Sequence, residues 1–262
     1  MSKMIDRTLA CSVLLLGVAC GASCGTDEAP ATQEEALLTP GMAAEDRPPK
    51  GTGIESDDYV WNERAFETVE ALKLAGDVDR GKRVYEPCEH CHLPMGQGQE
   101  DGAFPQIAGQ HSTVLVKQLI DIRDGRRDNP VMYPYAAKLT DPQELADLAL
   151  YISLLAYPEM RTYGPGTDLE TGARIFARNC AGCHGARGQG NAKAFYPIIG
   201  GQNYDYLLRQ LRNVAAGQRR NAHPAMAVTV AKLEDAGLVA LADYVSRLPW
   251  PRAGSSATSP DE

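Results

Sequence analysis

The sequence predicts an all-α protein that consists of two similar domains in tandem. An internal repeat is the first observation: at an offset of 92 residues, Cys88 aligns with Cys180 and His92 with His184, as a duplicated unit would give. In both copies apolar residues recur at positions i, i+3, i+4 and i+7, the spacing that lines one face of a helix. No comparable strand pattern occurs, so we expect two small helical bundles.

Length and composition are compatible with two small domains. The chain has 262 residues, of which 44% are hydrophobic and 23% are charged, as in ordinary soluble globular proteins. Aromatic residues make up only 6%, so each of two domains of about 90 residues would have a thin core and would need a cofactor or a covalent staple. The net charge of -8 and the absence of a Lys/Arg block argue against a nucleic-acid partner and favour a basic protein partner.

The amino terminus predicts export from the cytoplasm. Basic residues precede an apolar run over 9–19, which leads through small residues to Cys20, so we interpret residues 1–19 as a signal peptide. The run is too short to span a bilayer. A small-residue stretch that ends in cysteine resembles a bacterial lipoprotein signal, which predicts lipidation of Cys20, or of Cys24, and a periplasmic protein anchored to a membrane. Gly17 stands where such signals favour leucine, so an ordinary cleaved signal and a soluble periplasmic protein remain the alternative.

Turn-rich and low-complexity segments divide the rest of the chain. The stretch before the first domain is rich in Ala, Thr, Glu, Gly and Pro without helical periodicity, which is typical of a flexible tether. A second stretch of Pro and Gly marks a boundary between the domains. The predicted segments are a tether over 20–58, a first domain over 59–157, a linker over 158–166, a second domain over 167–250 and a loose tail over 251–262.

Two helices of each copy can be assigned from their apolar stripes. The middle helix and the last helix repeat their spacing in the second copy, so we expect these faces to point inward as the walls of a pocket. The spacing of Thr140 with Gln143, and of Thr167 with Glu170, predicts capping boxes at two helix starts. The stripes are Leu115, Gln118, Leu119 and Ile122 with Leu207, Gln210, Leu211 and Val214, and Leu145, Leu148, Ala149, Ile152 and Leu155 with Leu238, Leu241, Ala242, Val245 and Leu248.

Two Cys-x-x-Cys-His motifs carry the predicted chemistry. They occupy residues 88–92 and 180–184 and have the spacing at which a c-type haem is attached. Two thiols on one turn can add to the two vinyl groups of a haem, and the adjacent imidazole then faces the iron. The predicted thioether residues are Cys88, Cys91, Cys180 and Cys183, and the predicted proximal ligands are His92 and His184.

Three other uses of paired cysteines fit the pattern less well. A four-thiolate zinc site does not require a histidine after each pair. A disulfide framework suits an oxidising compartment but leaves both histidines unexplained. A thioredoxin-like redox pair is expected beside a βαβ pattern, which this sequence lacks. Two covalently bound haem c groups are therefore the predicted cofactors.

The sixth iron ligand has to come from elsewhere in each copy. Met132 and Met226 are the candidates, because each follows a proline after the middle helix, in a predicted loop before the last helix, and each matches the other in the repeat. His111 and His223 are competing candidates, but neither has a histidine at the matching position. His90 lies inside the attachment motif, and we expect it to face solvent.

These motifs resemble those of class I cytochromes c, and as a tandem pair the chain is similar to the two-haem c-four-type cytochromes of bacteria. The resemblance covers about residues 77–248. In that family a glycine and then an aromatic residue precede the motif, and another glycine follows the ligating histidine. The pattern is met by Gly172, Phe176 and Gly185 in the second copy, and by Gly81 and Tyr85 in the first, where one residue fewer precedes the motif and Leu93 replaces the last glycine.

The resemblance implies an all-α fold of two tandem class I cytochrome c domains, each a small helical bundle around a covalently bound haem. It implies single-electron transfer between periplasmic or membrane respiratory partners, with redox proteins as donors and acceptors. It implies His92 and Met132 on one iron, and His184 and Met226 on the other.

Four further residues recur near the motifs. Phe104 with Tyr196, and Arg127 with Arg219, match in the repeat. They could line the haem or meet its propionates, or they could serve only as packing aromatics and solvated cations.

An iron ligated by His and Met is coordinatively filled, so it changes oxidation state without gaining or losing a ligand. We therefore expect an electron carrier without substrate chemistry, in which the edges of the two haems face each other. A two-haem peroxidase is the alternative from the enzyme class; it needs one iron with an open site, and the matching methionines argue against it. A fixed electron-accepting haem subunit of a dehydrogenase or reductase complex would have the same sites and is the other alternative.

Overall fold

The computed structural model describes residues 66–156, called here the first domain, and 162–250, the second domain. No strand forms in these two ranges, where a single antiparallel bridge pairs Asn191 with Tyr196. The all-α prediction is therefore confirmed. None of the helices in these ranges is long and apolar enough to cross a membrane. The predicted signal peptide, Cys20, the tether, part of the linker and the tail lie outside the described residues.

The helices follow the same order in both domains. The first domain contains α1 (Phe66–Lys73), α2 (Val78–Tyr85), a 3₁₀ turn (Glu86–Cys88), α3 (Glu89–His92), α4 (Ser112–Arg123), α5 (Tyr133–Ala136) and α6 (Pro142–Leu154). The second contains α7 (Leu169–Asn179), α8 (Ala181–His184), α9 (Tyr204–Ala215), α10 (Pro224–Val230) and α11 (Asp235–Arg247). The predicted middle helices are α4 and α9, and the predicted last helices are α6 and α11.

Each domain is organised by two helices that cross at a glycine. Helix α2 packs on α6, and α7 packs on α11. A Cβ atom at Gly81 would overlap the carbonyl oxygen of Asp147, and one at Gly172 would overlap that of Ala240. Glycine is required at both positions because the two backbones approach too closely to admit any side chain. The crossing therefore fixes the position of the carboxyl ends of α2 and α7, and the attachment motifs follow these ends.

The apolar stripes of the last helices form the domain cores. Their main side chains are at most 3% exposed, and burial of each such side chain contributes about 1.5–3 kcal/mol. Tyr85 and Phe176, the aromatic residues before the motifs, are 0% and 2% exposed and pack into these cores. The buried stripe residues are Leu145, Leu148, Ala149 and Ile152 in α6, and Leu238, Leu241, Ala242 and Val245 in α11.

The predicted capping residues were wrong by one position. Asp141, not Thr140, caps α6, and its carboxylate accepts a hydrogen bond of 2.8 Å from the amide two residues on. Asp168, not Thr167, caps α7, with a bond of 3.2 Å from the amide three residues on. Aspartate is among the most favourable N-cap residues, and Pro142 fits the first helical position behind it, so the aspartates displace the threonines.

Candidate functional site

Each attachment motif forms a helical turn directly after a packed helix. In the second domain α7 ends at Asn179 and α8 carries the motif. In the first domain one residue fewer precedes the motif. There a 3₁₀ turn, with Pro87 in its first positions, joins α2 to α3. Residues three apart on such a turn lie on the same side of the helix. Both motifs therefore present their two thiols together, despite the different length of chain before them.

Both motif histidines are buried and held by a single hydrogen bond. His92 and His184 are 5% and 7% exposed. Their Nδ1 atoms lie 2.9 Å from the carbonyl oxygen of Pro105 and 3.1 Å from that of Pro197, residues that match in the repeat. A carbonyl oxygen can only accept, so Nδ1 carries the proton and Nε2 keeps its lone pair for a metal ion. Burial lowers the pKa of both imidazoles, which keeps them neutral as ligation requires.

The four motif cysteines differ in exposure. Cys88, Cys91 and Cys180 are partly buried and Cys183 is exposed, and no disulfide joins them. Burial raises the pKa of Cys88 and of Cys180 to about 11. Among the described residues no group of three or more His, Cys, Asp or Glu side chains could hold a metal ion. Among the described residues the four thiols therefore do not converge on one site, as a four-thiolate zinc ion would require.

One continuous cavity of about 690 Å³ joins the two motifs. Its walls come from the apolar faces of the middle and last helices of both domains, including Leu115 and Leu207, as the stripes predicted. A flat, largely apolar group attached at each motif would be shielded from water by these walls. The predicted site residues that line the cavity are Cys88, His92 and Met132 of the first domain, and Cys180, Cys183, His184 and Met226 of the second.

The recurring aromatic residues lie beside the histidines. The ring of Phe104 contacts His92 edge-on, with centroids 6.2 Å apart, and the ring of Tyr196 lies at the same distance from His184. Both aromatic residues line the cavity. They therefore limit the orientations that each imidazole can adopt, as well as excluding water.

The two methionines line the cavity from different local structures. Met132 is the residue before α5, in a turn as predicted. Met226 lies inside α10, so its predicted place in a loop was wrong. Helix α10 forms because Pro224 suits a first helical position and because His223 accepts a hydrogen bond from the Ala225 amide through Nδ1, at 3.1 Å.

The other histidines have different partners. His111 lies 2.9 Å, through Nε2, from the carbonyl oxygen of Gln189 in the other domain, so this ring serves the domain interface. His223 caps α10 and lies edge-on to Tyr196 at 6.1 Å, on the wall of the cavity. His90 is exposed, which confirms the prediction for that residue.

A pair of glutamines, which the sequence reasoning missed, joins the two domains. The side chain of Gln110 donates to the carbonyl oxygen of Ile198 (3.0 Å) and accepts from its amide (2.9 Å). Gln202 makes the same two bonds to Gln106, at 2.8 and 3.0 Å. Each glutamine follows a glycine in the repeat, and the repeated Gly-Gln dipeptide was the signal that could have indicated this role.

Two arginines and two further glutamines form a second link, on the cavity wall. Arg127 donates to Gln118 in its own domain (2.8 Å) and to Gln210 in the other (3.3 Å). Arg219 donates to Gln210 (2.9 Å) and to Gln118 (3.4 Å). All four side chains line the cavity, and a polar residue repeated within an apolar stripe was the sequence signal for the glutamines.

A buried ion pair distinguishes the first domain from the second. Lys117 and Asp121, 5% and 1% exposed, form an ion pair of 2.6 Å within α4. Asp121 also accepts from Arg126 of its own domain and from Asn221 of the second domain, both at 2.9 Å. Burial lowers the pKa of Lys117, although the nearby carboxylate opposes this shift. The counterpart of Asp121 is Asn213, so the repeat breaks at this site.

Comparison with known proteins gives a consistent result. A family model described as "Cytochrome c" matches residues 78–156 and again 169–249. Cytochrome c4 of Pseudomonas aeruginosa is 32% identical over 182 residues, which cover 66% of this chain and 90% of that protein. A thiosulfate dehydrogenase electron acceptor of Stutzerimonas stutzeri is 31% identical over 202 residues, which cover 70% of this chain and 93% of that protein.

The fold is also similar to a solved structure. The crystal structure of reduced recombinant cytochrome c4 from Pseudomonas stutzeri superposes with a TM-score of 0.61 at 30% identity, covering 67% of this chain and all of that one (100%). The repeated motifs, the shared cavity and these similarities agree. The chain therefore belongs to the cytochrome c family and is a two-haem electron-transfer cytochrome, with one haem c covalently bound in each domain.

Proposed function

We propose that this cytochrome carries single electrons between redox proteins, with His92 and Met132 as the axial ligands of one iron and His184 and Met226 as those of the other. The observation that carries the proposal is the cavity, because it brings both histidines, both methionines and cysteines of both motifs to one surface. When bound there, a haem held by His and Met supplies a one-electron couple that needs no vacant ligand position.

The chain's own hydrogen bonds support the assignment of the histidines. The carbonyl oxygens of Pro105 and Pro197 hold the Nδ1 protons, and they thereby fix the tautomer and the ring orientation of His92 and His184. The described hydrogen bonds leave Nε2 of both rings to the cavity. We assign Cys88 with Cys91, and Cys180 with Cys183, as the residues of the thioether links, because each pair shares one turn with its histidine.

The links between the domains support electron transfer within one molecule. The buried bonds of Gln110 and Gln202 hold the two domains at one separation and orientation. One cavity reaches both motifs, so the two sites open into the same space. From this continuity we infer that the two haem edges face each other.

Arg127 and Arg219 are proposed to bind propionate groups. The described partners of Arg127 are the neutral side chains of Gln118, Gln210 and Tyr206, so its guanidinium charge has no carboxylate partner. A partly buried cation on the wall of an apolar cavity favours an anionic group beside it. Arg219 occupies the matching position in the second domain.

The test is an optical spectrum of the holoprotein, with haem counted per chain. We expect two covalent haems and, in the oxidised form, the charge-transfer band of methionine bound to iron. Substitution of Met132 or Met226 by leucine should remove about half of that band. Met95→Leu is the matched control, because Met95 is 48% exposed and lies outside the cavity lining. Loss of one haem, or an unchanged band in both ligand variants, would contradict the assignment.

We infer further that the chain has no substrate chemistry of its own. A peroxidase needs one iron with an open site, and a methionine lines the cavity in each domain. Exposure of the reduced native protein to carbon monoxide tests this inference, because a filled iron does not bind it. Binding at one haem would favour the enzyme.

A second candidate is a fixed electron-accepting subunit of a dehydrogenase complex. The similarity to a thiosulfate dehydrogenase electron acceptor, at 31% identity over 93% of that protein, favours this candidate over other fixed partners. Purification of the native cytochrome from membranes distinguishes the two. A stoichiometric enzyme partner would indicate the fixed subunit, and a cytochrome free of partners would indicate a mobile carrier.

We propose a periplasmic location, with a lipid anchor at Cys20 and respiratory complexes among the partners. The proposal rests on the export signal, which lies outside the described residues. Labelling with a lipid precursor, followed by electrophoresis, is the test. Label in the mature protein supports the anchor, and its loss in a Cys20→Ala variant but not in Cys24→Ala assigns the residue. An unlabelled mature protein in the periplasmic fraction would indicate a soluble form.

We also propose the domain limits 59–157 and 167–250, joined by a linker over 158–166. The two ranges matched by the family model, 78–156 and 169–249, lie inside these limits, which supports them. Limited proteolysis of the holoprotein should cut within the linker before it cuts within either domain. An earlier cut inside a domain would contradict the limits.

A further inference from the structure

The residue after the first ligating histidine has a backbone conformation that L-amino acids rarely adopt. Leu93 has φ 66° and ψ 161°, whereas its counterpart Gly185 has φ 77° and ψ 157°. Glycine adopts this region without strain, but a leucine is strained there because its Cβ crowds the backbone. The first domain therefore holds a leucine in a glycine's conformation, one residue after His92.

Tyr85 supplies a restraint at this point that the second domain lacks. Its hydroxyl donates to the carbonyl oxygen of Leu93 at 2.8 Å, and its side chain is 0% exposed. Burial raises the pKa of Tyr85, so the hydroxyl stays protonated and able to donate. Phe176, the counterpart, has no hydroxyl, and the residue that matches Leu93 is the unstrained Gly185. Strain and restraint thus occur together in the first domain, and both are missing at the matching positions of the second.

The backbone bonds of residues 93 and 185 match, so the hydroxyl is the difference at this point. The carbonyl of residue 93 accepts from the Gly96 amide, and that of residue 185 from the Gly188 amide, both at 3.0 Å. The Leu93 amide donates to the Glu89 carbonyl within the turn that carries His92, at 2.9 Å. A change of φ at residue 93 would therefore move the turn on which the imidazole sits.

We propose that Tyr85 and Leu93 act as a coupled pair, in which the Tyr85 hydroxyl holds the strained Leu93 backbone and thereby sets the orientation of His92 at the first haem. The inference rests on the proposed role of His92 as an iron ligand. Tyr85 is a positioning residue, because it acts through Leu93 and His92 and not on the haem itself.

The experiment uses the full-length holoprotein and a double-mutant cycle of Tyr85→Phe with Leu93→Gly. The readouts are the hyperfine-shifted haem methyl resonances of the oxidised protein, which depend on the orientation of the axial histidine, and the two reduction potentials. Tyr85→Phe should shift the resonances and the potential of one haem and leave the other haem unchanged. It should also lower the folding equilibrium constant about three- to tenfold, since one buried hydrogen bond is lost.

Rescue distinguishes this pair from an ordinary packing contact. Leu93→Gly removes the strain, so in the Tyr85→Phe background it should restore the resonances of the first haem. Phe176→Tyr is the matched control: it adds the hydroxyl at the matching position of the second domain, where residue 185 is an unstrained glycine, and should leave the resonances of the second haem in place. If Tyr85→Phe yields no holoprotein, recovery of holoprotein with native resonances in the double variant supports the pair, and no recovery overturns it.

Two results would overturn the proposal: unchanged resonances and potentials in Tyr85→Phe, or equal shifts at both haems. Failure of the proposed function is a separate result and is seen in the wild-type protein, as fewer than two covalent haems or as one haem without a methionine-to-iron band. The wild-type spectrum is therefore recorded before any variant.

Discussion

Gln110 and Gln202 lie at matching positions of the two domains, and each hydrogen-bonds both backbone groups of a residue in the other domain. Gln110 pairs with Ile198 and Gln202 pairs with Gln106. The two glutamines are 8% and 5% exposed, so water does not replace these bonds. These two side-chain amides therefore contribute to the fixed spacing of the two haem sites, together with the arginine and glutamine link on the cavity wall.

Substitution of Gln110 by leucine should destabilise the protein by about 2 kcal/mol, because the amide and carbonyl of Ile198 would be left buried without partners. Denaturant unfolding of the holoprotein measures the free energy of unfolding. Gln218→Leu is the control, because Gln218 is an exposed residue of the second domain. Equal losses in the two variants would contradict the role of Gln110.

Substitution of Gly172 by alanine should separate α7 from α11, because the new Cβ would overlap the carbonyl oxygen of Ala240. Overpacking of this kind costs about 1–3 kcal/mol. Gly237→Ala is the control within the same helix pair: its Cβ would meet Ile175 at an ordinary 3.5 Å. The control should be neutral or stabilising, since alanine favours helix over glycine by about 1 kcal/mol. A stable Gly172→Ala protein would show that the crossing tolerates a side chain.

Substitution of Arg127 by glutamine should lower a haem reduction potential, on the order of tens of millivolts. A positive charge on the cavity wall disfavours the oxidised iron, so removing the charge favours oxidation. Spectroelectrochemical titration measures both potentials. Arg174→Gln removes an exposed arginine that pairs with Glu170, away from the cavity. The proposed propionate contact fails if Arg127→Gln leaves both potentials at their wild-type values.

The carboxylate of Asp147 should make the free energy of unfolding depend on pH. Burial raises the pKa of Asp147, but hydrogen bonds from Arg80, the Asp77 amide and Gln143 outweigh burial and lower it below its ordinary 3.8. A group with a lowered pKa in the folded state stabilises that state above its ordinary pKa, and the stabilisation disappears as the pH falls through the folded value. Asp147→Asn should therefore be destabilised at neutral pH.

Denaturant unfolding of wild type and Asp147→Asn across the pH range measures the effect. The difference in free energy of unfolding should be constant near neutral pH and should shrink once the pH falls below 3.8. The control is Asp101→Asn, which removes an exposed carboxylate. A difference that does not change with pH would mean that the charge of Asp147 does not contribute.

Local periodicity and the repeat predicted the fold and the site walls because both depend on short-range spacing. The last helices bury the predicted stripe residues, such as Leu148 and Leu241. The two attachment motifs were predicted from sequence because both thiols and the imidazole come from one turn. The structure adds to this the prolyl carbonyls at 105 and 197, which hold the histidines from a distance of 13 residues along the chain.

The partners of the residues between the domains could not be predicted, because the 92-residue repeat shows which positions match and not which positions touch. The bond between Asp121 and Asn221 is an example: neither residue belongs to a motif, and the neutral Asn221 side chain adds a bond from the other domain to a carboxylate that Lys117 already pairs with. The capping errors at Thr140 and Thr167 have a more local cause. A threonine and an aspartate stood side by side, and the spacing rule for capping boxes favoured the weaker cap.

The hydrogen bonds that Gln110 and Gln202 make across the domain interface have the geometry of a symmetric dimer. Position 110 contacts position 198, and position 202 contacts position 106, so each contact is the image of the other after the repeat is superposed. Such an isologous surface is self-complementary: two separate copies of a single domain bearing it would meet through the same patch on both. Joining the copies into one chain makes the encounter intramolecular and independent of protein concentration. It also lets the two halves diverge, as Asp121 and Asn213 have done, without losing their partner.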